Sequence, residues 1–189
     1  MKKKALFVLF SAAVITGGQY VYSKHINHNF KEISPNKVYK SGVIPPDQIA
    51  DFVEDYNLKS IIDLRFPGTE DLINNPEIPE ELLAEKAAVE RIDGVRYINL
   101  GTDQVPTLET VDQFLDIMDD KSNYPVLIHC HHGEGRAPLF SALYRIEYED
   151  WSNEDARAKT RLLLKGSSFD DGAPKGDFLM NYKPRRQNQ

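Results

Sequence analysis

A cysteine and an arginine, Cys130 and Arg136, have the types and the spacing of a phosphate-handling site. Gly133 and Gly135 lie between them and allow a tight backbone loop where a Cβ would clash. A cysteine thiolate is a nucleophile, the amides of such a loop can converge on an anion, and a planar guanidinium can hold two phosphate oxygens. The segment therefore combines a nucleophile, a ring of amide donors and a bidentate clamp.

The flanking sequence predicts the elements that must position this loop. Val126–Ile128 is a short apolar run typical of a buried strand. Pro138 suits the first turn of a helix, where its missing N–H costs little, and the helix is predicted to continue over Leu139–Glu149. A helix that begins at the loop adds positive potential at the anion site and favours the thiolate form of Cys130.

Two other interpretations of these residues need weighing. A single cysteine after a strand is most often a small buried hydrophobe, but here the glycines, the arginine and the helix start all fall where an anion site needs them. Zinc is a second possibility, because the segment His129–His132 contains only potential ligands. Contiguous residues on a tight loop point in different directions, however, and no second ligand cluster is evident in the sequence. We therefore expect no metal site and no cofactor.

The same residues resemble a known signature. The segment HCHHGEGR, His129–Arg136, matches the HCxxGxGR signature of the cysteine-dependent protein tyrosine and dual-specificity phosphatases. Val38–Gly42 and Ile61–Arg65 resemble the first strands of the small dual-specificity members, so the resemblance covers most of residues 33–182. It implies that Cys130 is the nucleophile and that His129 orients the loop. The phosphate-binding residues that it implies are His131, His132, Gly133, Glu134, Gly135 and Arg136. The Glu134 carboxylate is expected to face solvent, because an inward carboxylate would repel phosphate.

One position departs from the family pattern. The family usually has Ser or Thr directly after the arginine, a hydroxyl that helps the thiolate to leave in the second step, whereas this chain has Ala137. The phosphatases of regenerating liver share the Gly-Arg-Ala-Pro ending. The resemblance therefore implies slower hydrolysis of a phosphocysteine intermediate rather than loss of activity.

A general acid must protonate the departing oxygen, and Asp103 is the best candidate. It follows the strand predicted at Val95–Leu100, and loops after the carboxyl ends of parallel strands share one cleft. The family's acid occupies a comparable loop, often near a proline, and here Pro106 follows. An ordinary turn aspartate would look similar, and Glu109 and Asp112 are the nearby alternatives.

Composition limits the other possibilities. The length of 189 residues, with 41% hydrophobic residues, suits one α/β domain with an appendage. The formal net charge of −6 argues against a general nucleic-acid binder. The single cysteine excludes an intramolecular disulfide and leaves no second thiol for a redox enzyme.

The amino-terminal segment indicates a membrane or an export pathway. Basic residues at Lys2–Lys4 precede the uncharged and mostly apolar stretch Ala5–Tyr22, which as a helix would be about 27 Å long, just short of the ~30 Å bilayer core. We expect an uncleaved apolar helix that anchors the catalytic domain outside the cytoplasm, in the periplasm or cell envelope if the source is bacterial. A signal peptide, with secretion after cleavage, is the alternative.

Strands that alternate with helices predict an α/β fold with a central, mainly parallel sheet flanked by helices, like that of the protein tyrosine phosphatases. Arg65, at the end of a predicted strand, is expected to brace the loop, to pair with Glu70, or to form an ordinary surface ion pair. His25 and His28 are expected to be solvated. The predicted organisation is an anchor or signal peptide over 1–22, a tether over 23–32, a phosphatase-like domain over 33–182 and a tail over 183–189.

The resemblance implies a phosphatase that hydrolyses phosphomonoesters through a phosphocysteine. Phosphorylated Tyr, Ser or Thr of a protein, or a small phosphomonoester, is the expected substrate, because the loop lacks the lysines found in family members that act on inositol lipids. A phosphoinositide phosphatase remains an alternative. Ala137 motivates another, a weakly active module that binds phosphorylated partners.

Overall fold

The computed structural model describes residues 27–66, 79–161 and 166–185. The predicted anchor, the start of the tether with His25, Glu70 and the end of the tail lie outside the described residues. Among the helices of the described ranges, none has the length and hydropathy that a membrane crossing requires.

The described residues form one sheet of mostly parallel strands. The strand order is β1-β2-β5-β3-β4, in which only the β1–β2 pair is antiparallel. The strands are β1 (Lys31–Ser34), β2 (Val38–Ser41), β3 (Ser60–Asp63), β4 (Arg96–Asn99) and β5 (Val126–His129). The predicted mixed α/β architecture with a central, mainly parallel sheet is therefore confirmed.

Helices cover both faces of this sheet. They are α1 (Ile49–Tyr56), α2 (Pro79–Val89), α3 (Leu108–Asp119), α4 (Arg136–Tyr148), α5 (Asn153–Thr160) and α6 (Pro174–Asn181), with a 3₁₀ turn at Lys121–Asn123. Side chains alternate between the two faces, as the strand period of two requires. Ile62 and Ile128 join the core with α3, α4, α5 and α6. Ile61 and Leu127 join the core with α1 and α2.

The helices differ in how their first turns are capped. The Thr107 hydroxyl accepts a hydrogen bond from the Thr110 amide at 3.1 Å and caps α3. The helix α1 begins at Ile49 after Gln48 and has no side-chain cap. The helix after the cysteine loop begins at Arg136, so its first turn contains Pro138, as predicted, and also the arginine of the loop.

Residues 27–30, predicted to belong to the tether, pack against the domain. Phe30 is buried and its ring lies 4.3 Å, centroid to centroid, from that of Tyr56. A ring nitrogen of His28 lies 2.9 Å from the side-chain oxygen of Gln48, so His28 is not the solvated residue that was expected. Burial of the Phe30 ring makes this segment part of the fold, and local sequence pattern does not predict such burial.

Candidate active site

The carboxyl ends of the parallel strands bring the cysteine loop to one edge of the sheet. His129 ends β5 and lies in register between Ser41 of β2 and Asp63 of β3. Cys130 follows directly and is 3% exposed, at a small cleft of about 110 Å³. The residues that line this cleft are Gln104, Cys130, His131, His132, Glu134, Gly135 and Arg136.

Gly133 lies beneath the cleft, where the loop packs on strand β2. Its φ is +70°, and a Cβ there would lie 2.5 Å from the Gly42 nitrogen and 2.6 Å from the Ser41 carbonyl carbon. Backbone this close leaves room for glycine alone. The Lys40 ammonium, also buried, donates to the Gly133 carbonyl at 2.7 Å. The neighbouring strand therefore fixes the path of the loop.

Two further contacts hold the loop at its rim. The Val43 amide donates to the His131 carbonyl at 3.0 Å. The side-chain amide of Asn29 donates to the His132 carbonyl at 2.7 Å. These two bonds engage loop carbonyls and hold the loop against the chain at Asn29 and Val43.

Arg136 is 2% exposed and ties the loop to two other strand ends. Its Nη1 donates to the Leu64 carbonyl at 2.9 Å and to the Thr102 carbonyl at 3.3 Å. Leu64 follows β3 and Thr102 follows β4, so the guanidinium is fixed by loops from both sides of the sheet edge. A guanidinium held in this way has little rotamer freedom to lose when it binds an anion.

A buried network of charges holds His129 from behind. The imidazole Nε2 lies 2.9 Å from Oε1 of Glu85 and 3.7 Å from Oδ1 of Asp63. Arg65 donates through Nε to Oδ1 of Asp63 at 2.9 Å and through Nη2 to Oδ2 at 2.8 Å, and Nη2 also contacts Glu85. The Tyr97 hydroxyl donates to Asp63 at 2.6 Å. The possibility that Arg65 forms an ordinary surface ion pair is excluded, because its side chain is fully buried.

The network raises the pKa of His129 and lowers that of Asp63. Burial acts to lower the pKa of His129, but the charges of Glu85 and Asp63 outweigh it and the pKa is raised. Burial acts to raise the pKa of Asp63, but His129 and the hydrogen bond from Arg65 outweigh it and the pKa is lowered. The charged forms of both side chains are therefore favoured in the folded protein.

The same side chains have the spacing of a metal site. Each of Asp63, Glu85 and His129 offers one potential ligand atom, and these three atoms lie within 4.8 Å of one another. The guanidinium of Arg65 donates to both carboxylates, however, and supplies the positive charge that they need. Ion pairing alone accounts for this cluster.

The two histidines after the cysteine differ from His129. Burial lowers the pKa of His131 to about 4, and the charges of His132, Arg65 and Arg136 act in the same direction. The His131 ring is therefore neutral at neutral pH. His132 and Glu134 are exposed, in agreement with the expectation that the Glu134 carboxylate faces solvent.

Asp103 lies on the predicted loop, after β4, but its side chain is exposed and is not part of the cleft wall. The wall is formed by the next residue, Gln104. Glu109 and Asp112 lie on α3 and are also exposed. The structure thus brings Cys130 and Arg136 together and leaves Asp103 at the margin.

Two buried residues of this region were not anticipated from sequence. Lys175, on α6, donates from Nζ to Oε1 of Gln104 at 2.7 Å and is buried. No local pattern in the sequence indicates that this segment returns to the cleft. The second residue, Glu85, lies on α2, and the many Glu and Ala residues of this helix give no sign that one glutamate is buried. Its helical spacing from the buried residues Leu82, Ala88 and Val89 is a signal that would have placed it on the core face.

A buried cysteine at the carboxyl end of a parallel strand, followed by a glycine loop and an arginine at the helix start, defines the cysteine-based tyrosine and dual-specificity phosphatase class. The family described as "DSP-PTPase phosphatase fused to NAD+ Kinase" matches residues 11–172, most of the chain. The chain belongs to this family.

Similarity to individual proteins agrees with this assignment. Over 64 residues, 33% of this chain and 29% of the relative, it is 36% identical to the dual specificity protein phosphatase TpbA of Pseudomonas aeruginosa. Over 86 residues, 43% of this chain and 47% of the relative, it is 33% identical to the protein tyrosine phosphatase PRL-1 of Trypanosoma cruzi. The chain thus spans less than half the length of these curated relatives.

Solved structures share the fold. The catalytic core of the PP-IP phosphatase SIW14 from S. cerevisiae superimposes with a TM-score of 0.60 at 22% identity, covering 82% of this chain and 85% of that one. P. aeruginosa TpbA superimposes with a TM-score of 0.58 at 19% identity, covering 83% and 86%. At these identities the likeness concerns the architecture alone.

Proposed function

We propose that the protein is a cysteine-dependent phosphatase that hydrolyses phosphomonoesters through a phosphocysteine. The observation that carries this proposal is the junction of Cys130, the Gly133–Gly135 loop and a buried Arg136 fixed by the Leu64 and Thr102 carbonyls. Nucleophile, amide cradle and clamp converge on one cleft, as phosphoryl transfer requires.

In the first step the Cys130 thiolate attacks phosphorus, an S–P bond forms and the ester P–O bond breaks. The departing oxygen takes a proton from a carboxylic acid, for which we propose Asp103. The cradle amides and Arg136 hold the equatorial phosphoryl oxygens, where charge develops. In the second step water attacks phosphorus, its proton passes to the same carboxylate, and the S–P electron pair returns to sulfur.

We propose a phosphorylated protein as the substrate, with phosphotyrosine as the first side chain to test. One relative is named a dual specificity protein phosphatase and another a protein tyrosine phosphatase. A TpbA variant has also been solved with pTyr bound. The neutral His131 and the exposed Glu134 add no positive charge to the rim of the cleft, which disfavours substrates with many phosphates.

The test is turnover of p-nitrophenyl phosphate and of a phosphotyrosine peptide by the full chain, with Cys130→Ser as the matched variant. We expect hydrolysis by the wild type and loss of all measurable turnover in Cys130→Ser, which should still bind the phosphopeptide. Equal turnover by the two proteins would contradict the proposal.

Ala137 favours a second candidate, a phosphate-binding module with little turnover, since the residue is buried and lacks the family's hydroxyl. Binding of the phosphopeptide by the wild type without release of inorganic phosphate would support that candidate instead.

A further inference from the structure

Lys175, on α6, is a buried cation beside the catalytic loop. Its side chain is 7% exposed, and Nζ donates to the amide oxygen of Gln104 at 2.7 Å. An ammonium has three N–H donors, and an amide oxygen satisfies one without cancelling the charge. No carboxylate lies within ion-pair distance of Lys175 in the part of the chain that the structure describes. A compensating anion stabilises a buried charge, and Cys130 is the group of the catalytic loop whose charge acts on Lys175 in this sense.

The ammonium lies against the cleft that holds the nucleophile. Nζ is 2.8 Å from the point that a Cβ on Gly135 would occupy, and Gly135 and Gln104 both line the cleft of Cys130. Burial lowers the pKa of Lys175, Cys130 acts in the opposite direction, and Arg136 acts to lower it further. The lysine therefore experiences the charges of both the nucleophile and the clamp.

The start of α6 fixes Lys175 in this position. Gly176 packs so closely on the preceding turn that a Cβ would lie 2.0 Å from the Asp170 carbonyl oxygen. The ammonium also stands 5.7 Å from the centre of the buried Phe169 ring. The backbone beside Lys175 thus has little freedom, and the side chain is directed to Gln104 and Gly135 of the cleft wall rather than to solvent.

We propose that Lys175 stabilises the Cys130 thiolate when it leaves the phosphocysteine, and so replaces the hydroxyl that is missing at Ala137. This inference rests on the proposed function. Water attacks phosphorus, a P–O bond forms, the S–P bond breaks and its electron pair stays on sulfur. The water proton goes to the carboxylate base, and Lys175 keeps its own protons throughout. Its contribution is positive charge near the sulfur as negative charge returns there.

The proposal predicts a specific kinetic phenotype for Lys175→Met. Hydrolysis of the phosphocysteine should fall by about 10², the cost of removing one donor from a preorganised site. A rapid-quench experiment with p-nitrophenyl phosphate should then show a burst near one nitrophenolate per enzyme, followed by a slow phase. Lys175→Arg should retain most of the wild-type steady-state rate, because it keeps the charge. Lys37→Met, an exposed lysine in the turn at the opposite end of β2, is the matched control and should leave the kinetics unchanged.

Rescue by a hydroxyl separates this role from a structural one. Ala137→Ser should change wild-type turnover by less than about twofold, because Lys175 already supplies the stabilisation. In the Lys175→Met background the same substitution should restore at least about tenfold. A lysine that merely supports the fold would give no such rescue, and thermal unfolding of each variant would show its loss directly.

Three results would overturn the inference. These are a Lys175→Met enzyme without a burst and with wild-type turnover, a slow Lys175→Met enzyme that Ala137→Ser does not restore, and a Lys175→Arg enzyme as slow as Lys175→Met. In each case Cys130-dependent turnover by the wild type would leave the proposed function standing. If the wild type itself shows no Cys130-dependent turnover, the proposed function fails and the inference fails with it.

Discussion

The imidazole Nε2 of His129 lies 2.9 Å from Oε1 of Glu85, and both side chains are buried. Glu85 belongs to α2, which packs on the face of the sheet opposite to that covered by α4. The residue before the nucleophile is thus positioned by an element that carries no other part of the site. This contact links the stability of the fold to the orientation of the loop.

Glu85→Gln should destabilise the protein by about 3 kcal/mol, because it removes one partner of a buried ion pair and leaves the charges of Arg65 and His129 undercompensated. Chemical denaturation measures the loss. The matched control is Glu90→Gln, since Glu90 pairs with Lys86 at 3.7 Å with both side chains about half exposed. That change should cost at most about 0.5 kcal/mol. Equal effects of the two substitutions would contradict the assignment of Glu85 to a buried pair.

The raised pKa of His129 predicts a pH dependence of stability. Its contribution is fully present below the ordinary histidine value of 6.5 and is lost as the pH rises through the folded value. Each unit of elevation corresponds to about 1.4 kcal/mol. Asp63 has a lowered pKa, so its contribution to stability is present above its ordinary pKa of 3.8 and is lost as the pH falls through its pKa in the folded protein. This loss occurs in a separate, more acidic pH range. Denaturant titrations from about pH 5 to 9 should show a decline that His129→Asn lacks, and parallel curves would refute it.

Gly133→Ala should lower kcat/KM by at least about 10², because a displaced loop misplaces the reacting groups. A Cβ at Gly133 would collide with the backbone of Ser41 and Gly42. Gly94→Ala is the control, since Gly94 has a similar φ of +78° but no atom within 4 Å of the added Cβ. It should cost about 1–2 kcal/mol of stability and leave kcat/KM near the wild-type value. A fully active Gly133→Ala enzyme would show that the loop tolerates a shift.

Asp103→Asn should reduce hydrolysis of alkyl phosphates by about 10²–10⁴, and that of p-nitrophenyl phosphate much less, because a good leaving group needs no proton. Steady-state rates with both substrates measure the contrast. Asp116→Asn, on the exposed face of α3, is the matched control. If Asp103→Asn is silent with both substrates, the acid lies elsewhere and Glu109 or Asp112 should be tested next.

The apolar stretch after Lys2–Lys4 predicts that the domain lies outside the cytoplasm, and this remains a prediction. A reporter fused after Gln189 should be active only on the far side of the membrane. Replacing the apolar residues 5–22 by a polar sequence should return the reporter to the cytoplasm. A cytoplasmic signal from the intact fusion would contradict the expectation.

Local pattern was sufficient for the elements that position the cysteine. An apolar run, two glycines and a proline predicted strand, loop and helix in the correct order, because each signal acts within a few residues. Pro138 lies in the first turn of α4 as predicted, whereas the bonds from Arg136 to the Leu64 and Thr102 carbonyls are tertiary contacts. Propensity alone does not encode such bonds.

The parts of the site that the sequence did not predict depend on long-range contacts. The parallel register of β3 and β5 places Asp63 beside His129, and the packing of α2 on the sheet brings Glu85 to the same point. The packing of α6 brings Lys175 to Gln104 at the cleft wall, and no sequence motif predicts this contact. For Asp103, spacing identified the loop after β4 but not that Gln104 would form the wall.

Because Asn29 is hydrogen-bonded to the catalytic loop, the direction in which the cleft faces on a support depends on where the domain is attached. Asn29 therefore lies beside the loop that lines the cleft. Arg185, in contrast, binds Glu147 near the end of α4, a helix of 13 residues and thus about 20 Å long. Held close to Arg185, the domain would present its cleft outward. Held close to Asn29, it would turn the cleft towards the support, where a bulky ligand has the least room to approach.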